Sequence, residues 1–327
     1  MVSHRIEGDA WKKLVLHCRQ FSLVDGLVYY VPTDDILHRV ARHHEIPDIL
    51  ASFHSGIAGG HYVGDVTARK VWYSGLWWPI VTGDASLFAK NCDVCQRTGQ
   101  PTTGARMPHR PVLPLEPFQK WGLDFMGPFT PAAAQTGNQY ILVATDYCTK
   151  LVEAKPLRDN TANSTEKFIY ENIWCRYICP IELISDQGKN FVNEVIASLT
   201  QHYVVVHRNS TPYYPQANGL AESTNRTLKD ILRKIVNSNS TDWDRKLQLA
   251  LWAYRTSFKT SIGSTPFRLA FGLEAVMPIE FKIPTVRIQV QEWLPEHASR
   301  LLRMEQLLTL DEELLESECH LERDQVR

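Results

Sequence analysis

The sequence has no apolar run of the ~20 residues a membrane-spanning helix needs, because charged residues interrupt its longest hydrophobic stretches well before that length. The first residues, MVSHRIEGDAWKK, lack the apolar centre of a secretory leader. Membrane transport and secretion drop out, and a soluble intracellular chain is expected. Seven cysteines, an odd number scattered over 327 residues, exclude a disulfide framework. There is no internal repeat, which excludes a solenoid. Strong charge of either sign is also missing, since the formal net charge is -1.

That near-neutrality is a sum of unlike parts. Residues 291–327 carry ten acidic against four basic side chains, leaving 26 against 31 elsewhere, and residues 201–260 alone hold nine basic and four acidic. An acidic tail thus masks a mildly basic body, which suits a polyanionic partner, although a charge run is most often a solvated face.

With 44% apolar residues the chain can bury several cores, and its length exceeds one ordinary domain. FSLVDGLVYYV, residues 21–31, sets two β-prone runs around Asp25-Gly26 and predicts a hairpin, followed by an amphipathic helix from about Ile46. Residues 98–118 are dense in Pro, Gly and Thr and read as a linker. Beyond it GLDFMG, QYILVATDY and LVEAKPL predict three strands in meander. A helix over 165–177, the strand IELIS, a helix over 191–202 and the strand VVVHR follow. This order implies an α/β fold with a mixed sheet and helices on its faces. Helices are expected over 220–236 and 241–257, and an amphipathic one in the leucine-rich tail from Glu292.

His54-x6-His61, thirty residues, then Cys92-x2-Cys95 supply the two imidazoles and two thiolates that a structural Zn²⁺ prefers. A region this short has too little core to fold firmly unaided, and metal would supply the difference, so zinc removal is expected to unfold residues 54–96 while the catalytic core persists. His43 and His44 are nearby rivals of lower rank by spacing. Cys175 and Cys179, four apart without histidine partners, are expected to be core residues.

Three acids stand out. Asp186, in LISDQGKNF, ends an apolar strand, the position where open α/β sheets place their sites, and Gly188 lets the chain turn away from it. Asp124 sits inside the apolar strand WGLDFMG, where an unpaired carboxylate is costly. Glu222 opens a helix whose Leu228, Ile231, Leu232, Ile235 and Val236 form the buried stripe, while Arg226, Lys229 and Arg233 share the face next to it. Converging, the three acids would suit Mg²⁺ or Mn²⁺ and a two-ion displacement at a phosphodiester. Singly, each also reads as a hydrogen-bonded strand acid, a turn acid or a first-turn helix acid. Asp146, in VATDYCTK, likewise ends a strand but by context belongs to the hairpin.

H-x6-H…C-x2-C, Asp124, then Asp186 and Glu222 with 35 residues between them, resembles the zinc-binding and D,D-35-E arrangement of retroviral and retrotransposon integrases. CDVCQRTG, FQKWGLDFMGPF, YYPQANGLAE and WAYRTSFKTSIGSTPFRLAFG resemble gypsy-type LTR retrotransposon forms, over about residues 54–280. The resemblance implies an RNase H-like catalytic core, a mixed five-stranded sheet with flanking helices, behind a small helical zinc-binding domain. It divides the chain into an N-terminal extension (1–50), a zinc-binding domain (51–97), a linker (98–117), a catalytic core (118–280) and an acidic helical tail (281–327).

It implies that Asp124, Asp186 and Glu222 hold two Mg²⁺ or Mn²⁺ ions, that His54, His61, Cys92 and Cys95 hold zinc, and that Pro215, Gln216, Ala217, Asn218 and Gly219 form a mobile loop beside the site. Arg226, Lys229, Arg233, Gln216 and Asn218 would meet nucleic acid. Activity would be 3′-end processing and strand transfer of double-stranded DNA by a homo-multimer, in the nucleus after cytoplasmic assembly. Tyr214 stands where relatives often have His, and Leu151 where many have Trp. No protease, reverse transcriptase or basic C-terminal module is read in the chain. That leaves a processed or truncated polyprotein piece, or a decayed or domesticated copy acting as a DNA- or protein-binding module, as the alternative. An RNase H-type nuclease is the third reading.

Overall fold

The computed structural model describes residues 18, 20–32, 37–98, 116–210, 219–237, 239–283, 285, 288 and 295–326. Tyr214 and the loop residues Pro215 to Asn218, including Gln216, lie outside the described residues, as does most of the expected linker.

Asp25 and Gly26 both take positive φ, 49° and 75°, as a two-residue turn between right-twisted strands requires. They join β1 (Phe21–Val24) to β2 (Leu27–Tyr30). β3 (His38–Val40) pairs antiparallel with β2 and parallel with β4 (Leu76–Trp77). One sheet of order β1-β2-β3-β4 therefore ties the hairpin to the zinc-motif region, and Tyr30 stacks on Trp77 with ring centres 4.0 Å apart. The boundary expected at residue 50 runs through α1 (Ile46–His54), whose first turn accepts Pro47 because the missing N–H has no bond to lose there. The helices α2 (Gly64–Tyr73), α3 (Val81–Asn91) and the short α4 (Asp93–Thr98) complete this part.

The larger sheet is built from β5 (Lys120–Met126), β6 (Tyr140–Asp146) and β7 (Val152–Leu157) in antiparallel meander. β8 (Glu182–Ser185) lies parallel to β5, and β9 (Val206–Asn209) parallel to β8. Its order, β7-β6-β5-β8-β9, gives the expected mixed five-stranded sheet. Between β7 and β8 runs α5 (Ala162–Phe168), which continues as a π-helical turn (Ile169–Trp174). Between β8 and β9 lies α6 (Glu194–His202), and after β9 come α7 (Gly219–Ile235) and α8 (Trp243–Arg255).

Period-two alternation sends β6 into two cores. Ile141 and Val143 pack with Leu228, Ile231, Leu247 and Leu251 of α7 and α8, while Leu142 and Ala144 pack with Phe168, Ile173 and Ile196 of the opposite layer. Leu151 is fully buried. Of the stripe read on α7, Leu228, Ile231 and Leu232 are buried, and Ile235 and Val236 are partly buried against the same core.

Asp146 is a hairpin acid. Wholly buried at the end of β6, it accepts N–H bonds from Phe118 (3.1 Å) and Thr149 (2.8 Å) and the Thr149 hydroxyl (2.7 Å), and burial raises its carboxyl to about 6. The expectation for Cys175 and Cys179 needs correction: both are exposed. Helical structure ends at Trp174, so the shared helical face assumed for them is never built.

α9 (Pro266–Phe271), α10 (Pro278–Lys282) and α11 (Glu296–Val326) follow α8. α11 is clamped to α9 by a forked Arg268–Glu313 pair at 2.6 and 2.9 Å and by Leu314 and Leu321 against Ile262 and Leu269. Leu301, Leu308 and Leu315 on its other side stay exposed. Segments after α8 also turn back: Ala275, Met277, Ile279 and Ile283 share one core with Ile49, Phe53, Val71, Leu76 and Trp78.

Candidate zinc and acid sites

His54 is the last residue of α1, and the chain loops from it to His61, whose φ of 52° lies in the left-handed region. The His61 N–H donates to the His54 carbonyl at 2.9 Å, which closes the loop. Cys92 caps the C-terminus of α3, and Cys95 sits one turn on in α4.

The four side chains converge. Cys92 Sγ lies 3.3 Å from His61 Nδ1, and Cys95 Sγ lies 3.3 Å from His54 Nε2 and 3.8 Å from His61 Nδ1. All four donor atoms fall within 4.8 Å of one another. Zn–S and Zn–N bonds of ~2.3 and ~2.0 Å in a tetrahedron put sulfur and nitrogen about 3.5 Å apart, so the donor set fits zinc.

The electrostatics fit it too. Burial first, then His61 and Lys234, push His54 down to about 4, and burial holds His61 below its usual value, which favours the neutral imidazoles a metal would need. Burial and then Cys92 push the Cys95 thiol up to about 11, an energetic demand that a bound cation relieves. Thr67 Oγ1 stands 3.4 Å from His54 Nδ1, leaving Nε2 to face the cysteines. His43 and His44 are exposed and outside the cluster.

The acids are arranged differently. Gly122 of β5 is in register with Ile184 of the parallel strand β8, so Asp124 and Asp186, each two residues further on, stand level at the same edge. Glu222 projects from the first turn of α7. Asp124 is half-buried, whereas Asp186 and Glu222 are exposed.

Burial raises the Asp124 carboxyl to about 6, the charges of Asp186 and Glu222 push it the same way, and the Phe125 N–H (2.9 Å) and Asn225 amide (2.7 Å) oppose them. Asp124 is thus within electrostatic reach of both other acids. Asp186 accepts the Gly188 N–H at 2.9 Å. A Cβ on Gly188 would itself come within 2.9 Å of that oxygen, so a larger residue there would shift the Asp186 carboxylate.

A cleft of about 370 Å³ runs from Asp124 along residues 125–129 to Glu222, Asn225, Arg226 and Lys229. Arg226 and Lys229 therefore share the cleft with Asp124 and Glu222, while Asp186 is not among its lining residues. Arg233 does not line the cleft and lies 3.7 Å from Asp230 on its own helix. Sequence reasoning missed Asn225, which is buried, spends one amide hydrogen on Asp124 and leaves its Oδ1 without a partner among the described residues. A poor helix former set three residues after an acid, on the side of the helix turned toward the sheet, was the available signal.

Comparison with known proteins decides the class. Residues 114–215 match the integrase core domain, a span that contains Asp124 and Asp186 and ends before Glu222. The chain carries an integrase core domain. Its relatives are retroviral and retrotransposon Pol proteins. The Pro-Pol polyprotein of simian foamy virus type 3 is 30% identical over 71% of the chain, and gypsy retrotransposon integrase-like protein 1 of Mus musculus is 27% identical over 76%. The chain spans 20% of the first and 47% of the second. Among solved structures, the catalytic core domain of BIV integrase is 26% identical, with 47% of this chain and 93% of that one covered and a TM-score of 0.37. The integrase core is the domain of DDE-type polynucleotidyl transferases. No helix among the described residues is long and apolar enough to cross a membrane.

Proposed function

We propose that this integrase core performs divalent-metal-dependent 3′-end processing of element DNA and its strand transfer into target DNA, with Asp124, Asp186 and Glu222 as the catalytic acids. The observation that carries the reading is Asp124: a half-buried carboxylate on the central strand, raised by burial and by the charges of the other two acids. Two Mg²⁺ or Mn²⁺ ions held by the three acids would supply charge stabilisation for both the attacking and the leaving oxygen.

The chain's own groups do the rest. Phe125 N–H and the Asn225 amide fix one carboxylate rotamer of Asp124, and Gly188 N–H fixes that of Asp186. Arg226 and Lys229 bring positive charge to the same cleft, where a DNA phosphate backbone would lie. His54, His61, Cys92 and Cys95 hold a structural zinc in this reading. The working form is a homo-multimer on double-stranded DNA in the nucleus, with residues 118–280 as the catalytic unit.

A DNA-binding module with lapsed catalysis has one observation in its favour. Among the described residues the His-Cys set is gathered into a metal-type cluster, whereas the three acids are not drawn so close. Incubating the purified chain with element-end duplex DNA and Mn²⁺ separates the two. Trimmed and joined products support the first reading, and binding without either product supports the second.

A further inference from the structure

The loop between the two histidines does more than connect them. Lys70, on α2, is only 4% exposed. Its Nζ donates to the carbonyls of Ala58 and Gly59 in that loop, and at 3.3 Å to the carbonyl of Ala253 near the end of α8. Its Nζ also sits 5.0 Å from the centre of the Tyr62 ring, whose hydroxyl meets Ser257 at 3.3 Å. Lys234, near the end of α7, donates to the carbonyl of His61 at 2.9 Å. Gly60 has φ of 74°, and a Cβ there would come within 2.8 Å of the Ala253 side chain. α4, which carries Cys95, packs against α7.

These contacts share a logic. The Ala58 and Gly59 carbonyls of the loop and the Ala253 carbonyl of α8 converge on the buried Lys70 Nζ, and the His61 carbonyl meets Lys234; buried carbonyls without a donor would go unsatisfied. A lysine amino group donates in more than one direction and satisfies several at once. Ligation at His54 and His61 fixes both ends of the loop, and hence the positions from which those carbonyls are offered.

We propose that Lys70 and Lys234 lock the zinc-site loop onto α7 and α8 of the same chain, so that the zinc region and the integrase core unfold and exchange as one cooperative unit. Lys70 and Lys234 are positioning residues: each hydrogen-bonds the backbone that carries the ligands, and Lys234 also sets its charge near His54. The shared core of Ala275, Met277 and Ile279 with Ile49 and Phe53 extends the same joint. The inference rests on the zinc reading given above, and it replaces the expectation that zinc loss spares the catalytic core.

The test uses the full chain with one zinc per molecule. Hydrogen exchange is followed with and without zinc, and zinc release to a chromophoric chelator is timed for wild type, Lys234→Met and Lys234→Arg. The lock predicts that zinc removal speeds exchange across residues 219–257 as well as 46–98. It also predicts that Lys234→Met releases zinc about tenfold faster, on the scale of ordinary coupling between sites, and that Lys234→Arg largely restores retention. Lys70→Met should exceed Lys234→Met, and the partly exposed Lys234 carries the test if the Lys70 variant does not fold. Faster exchange confined to 46–98, or wild-type release from Lys234→Met, overturns the lock while leaving the zinc site standing. A chain that takes up no zinc overturns the site reading and the lock together.

Discussion

The His-Cys set and the acid set differ in how closely their side chains are gathered. The His-Cys set is drawn in to donor separations of 3.3 to 3.8 Å, with both histidines buried. The acid set has one half-buried member and two exposed ones. The difference is electrostatic. Neutral imidazoles and protonated thiols can crowd together at little cost, and the low value of His54 and the high value of Cys95 express that neutrality. Three carboxylates cannot, because each added negative charge raises the energy of the others, as Asp124 already records. Packing alone can gather neutral donors, whereas clustered carboxylates oppose one another's charge.

The largest expected effect breaks the closed set. Cys95→Ser removes a thiolate from a site in which structural zinc is typically worth about 10 kcal/mol or more of apparent binding. Zinc content by metal analysis should fall to near zero. Full retention would show that the cluster does not hold the ion through Cys95.

Asp146 sharpens the comparison, being a strand-end acid on the same sheet whose partners are complete. Asp146→Ala strands the Phe118 and Thr149 donors and should cost ~3 kcal/mol in a denaturant titration. The variant should still bind Mn²⁺ as wild type does, and lost Mn²⁺ binding would move it into the metal site.

A smaller effect concerns the cleft wall. Replacing Arg226 and Lys229 together by alanine should flatten the plot of log affinity for duplex DNA against log salt by about 2 units of slope, one per lost phosphate contact. The same change at Arg233 should do less, since it stands outside the cleft.

The smallest effect has the opposite sign. In divalent-free buffer with zinc loaded, Asp124→Asn should stabilise the fold by ~1 kcal/mol, because it removes a charge that burial and two neighbours oppose. A lower melting temperature would mean that the acids are not in mutual tension.

Much of this was legible in the sequence because the signals are local. Asp25-Gly26 between β-prone runs announced its hairpin, period-two runs announced β5 to β7, and the i, i+3, i+4 stripe on α7 fixed which side is buried. The metal spacings were legible for the same reason, since a C-x2-C turn and an H-x6-H loop are short-range constraints.

What stayed hidden depends on distant residues. Nothing near Leu76 shows that β4 pairs with β3, and nothing near Met277 shows that it packs on Phe53. These two contacts join the hairpin sheet to residues 76–77 and pack residues 275–283 on α1, which no local pattern announces. Cys175 and Cys179 were misplaced because spacing was read as helix beyond the point where helix ends. Asn225 was passed over because a polar residue in a helix signals nothing until its partner across the fold is known.

The central claim is that Asp124, Asp186 and Glu222 act as one metal-dependent catalytic group. Its most direct test is strand transfer by Asp186→Asn on pre-trimmed element-end DNA with Mn²⁺, with zinc content and circular dichroism measured on the same sample. Loss of joined product by ~10³-fold or more, with zinc and helicity unchanged, is the expected result, since the change removes a ligand oxygen with almost no change in volume. Joining at the wild-type rate would contradict the claim.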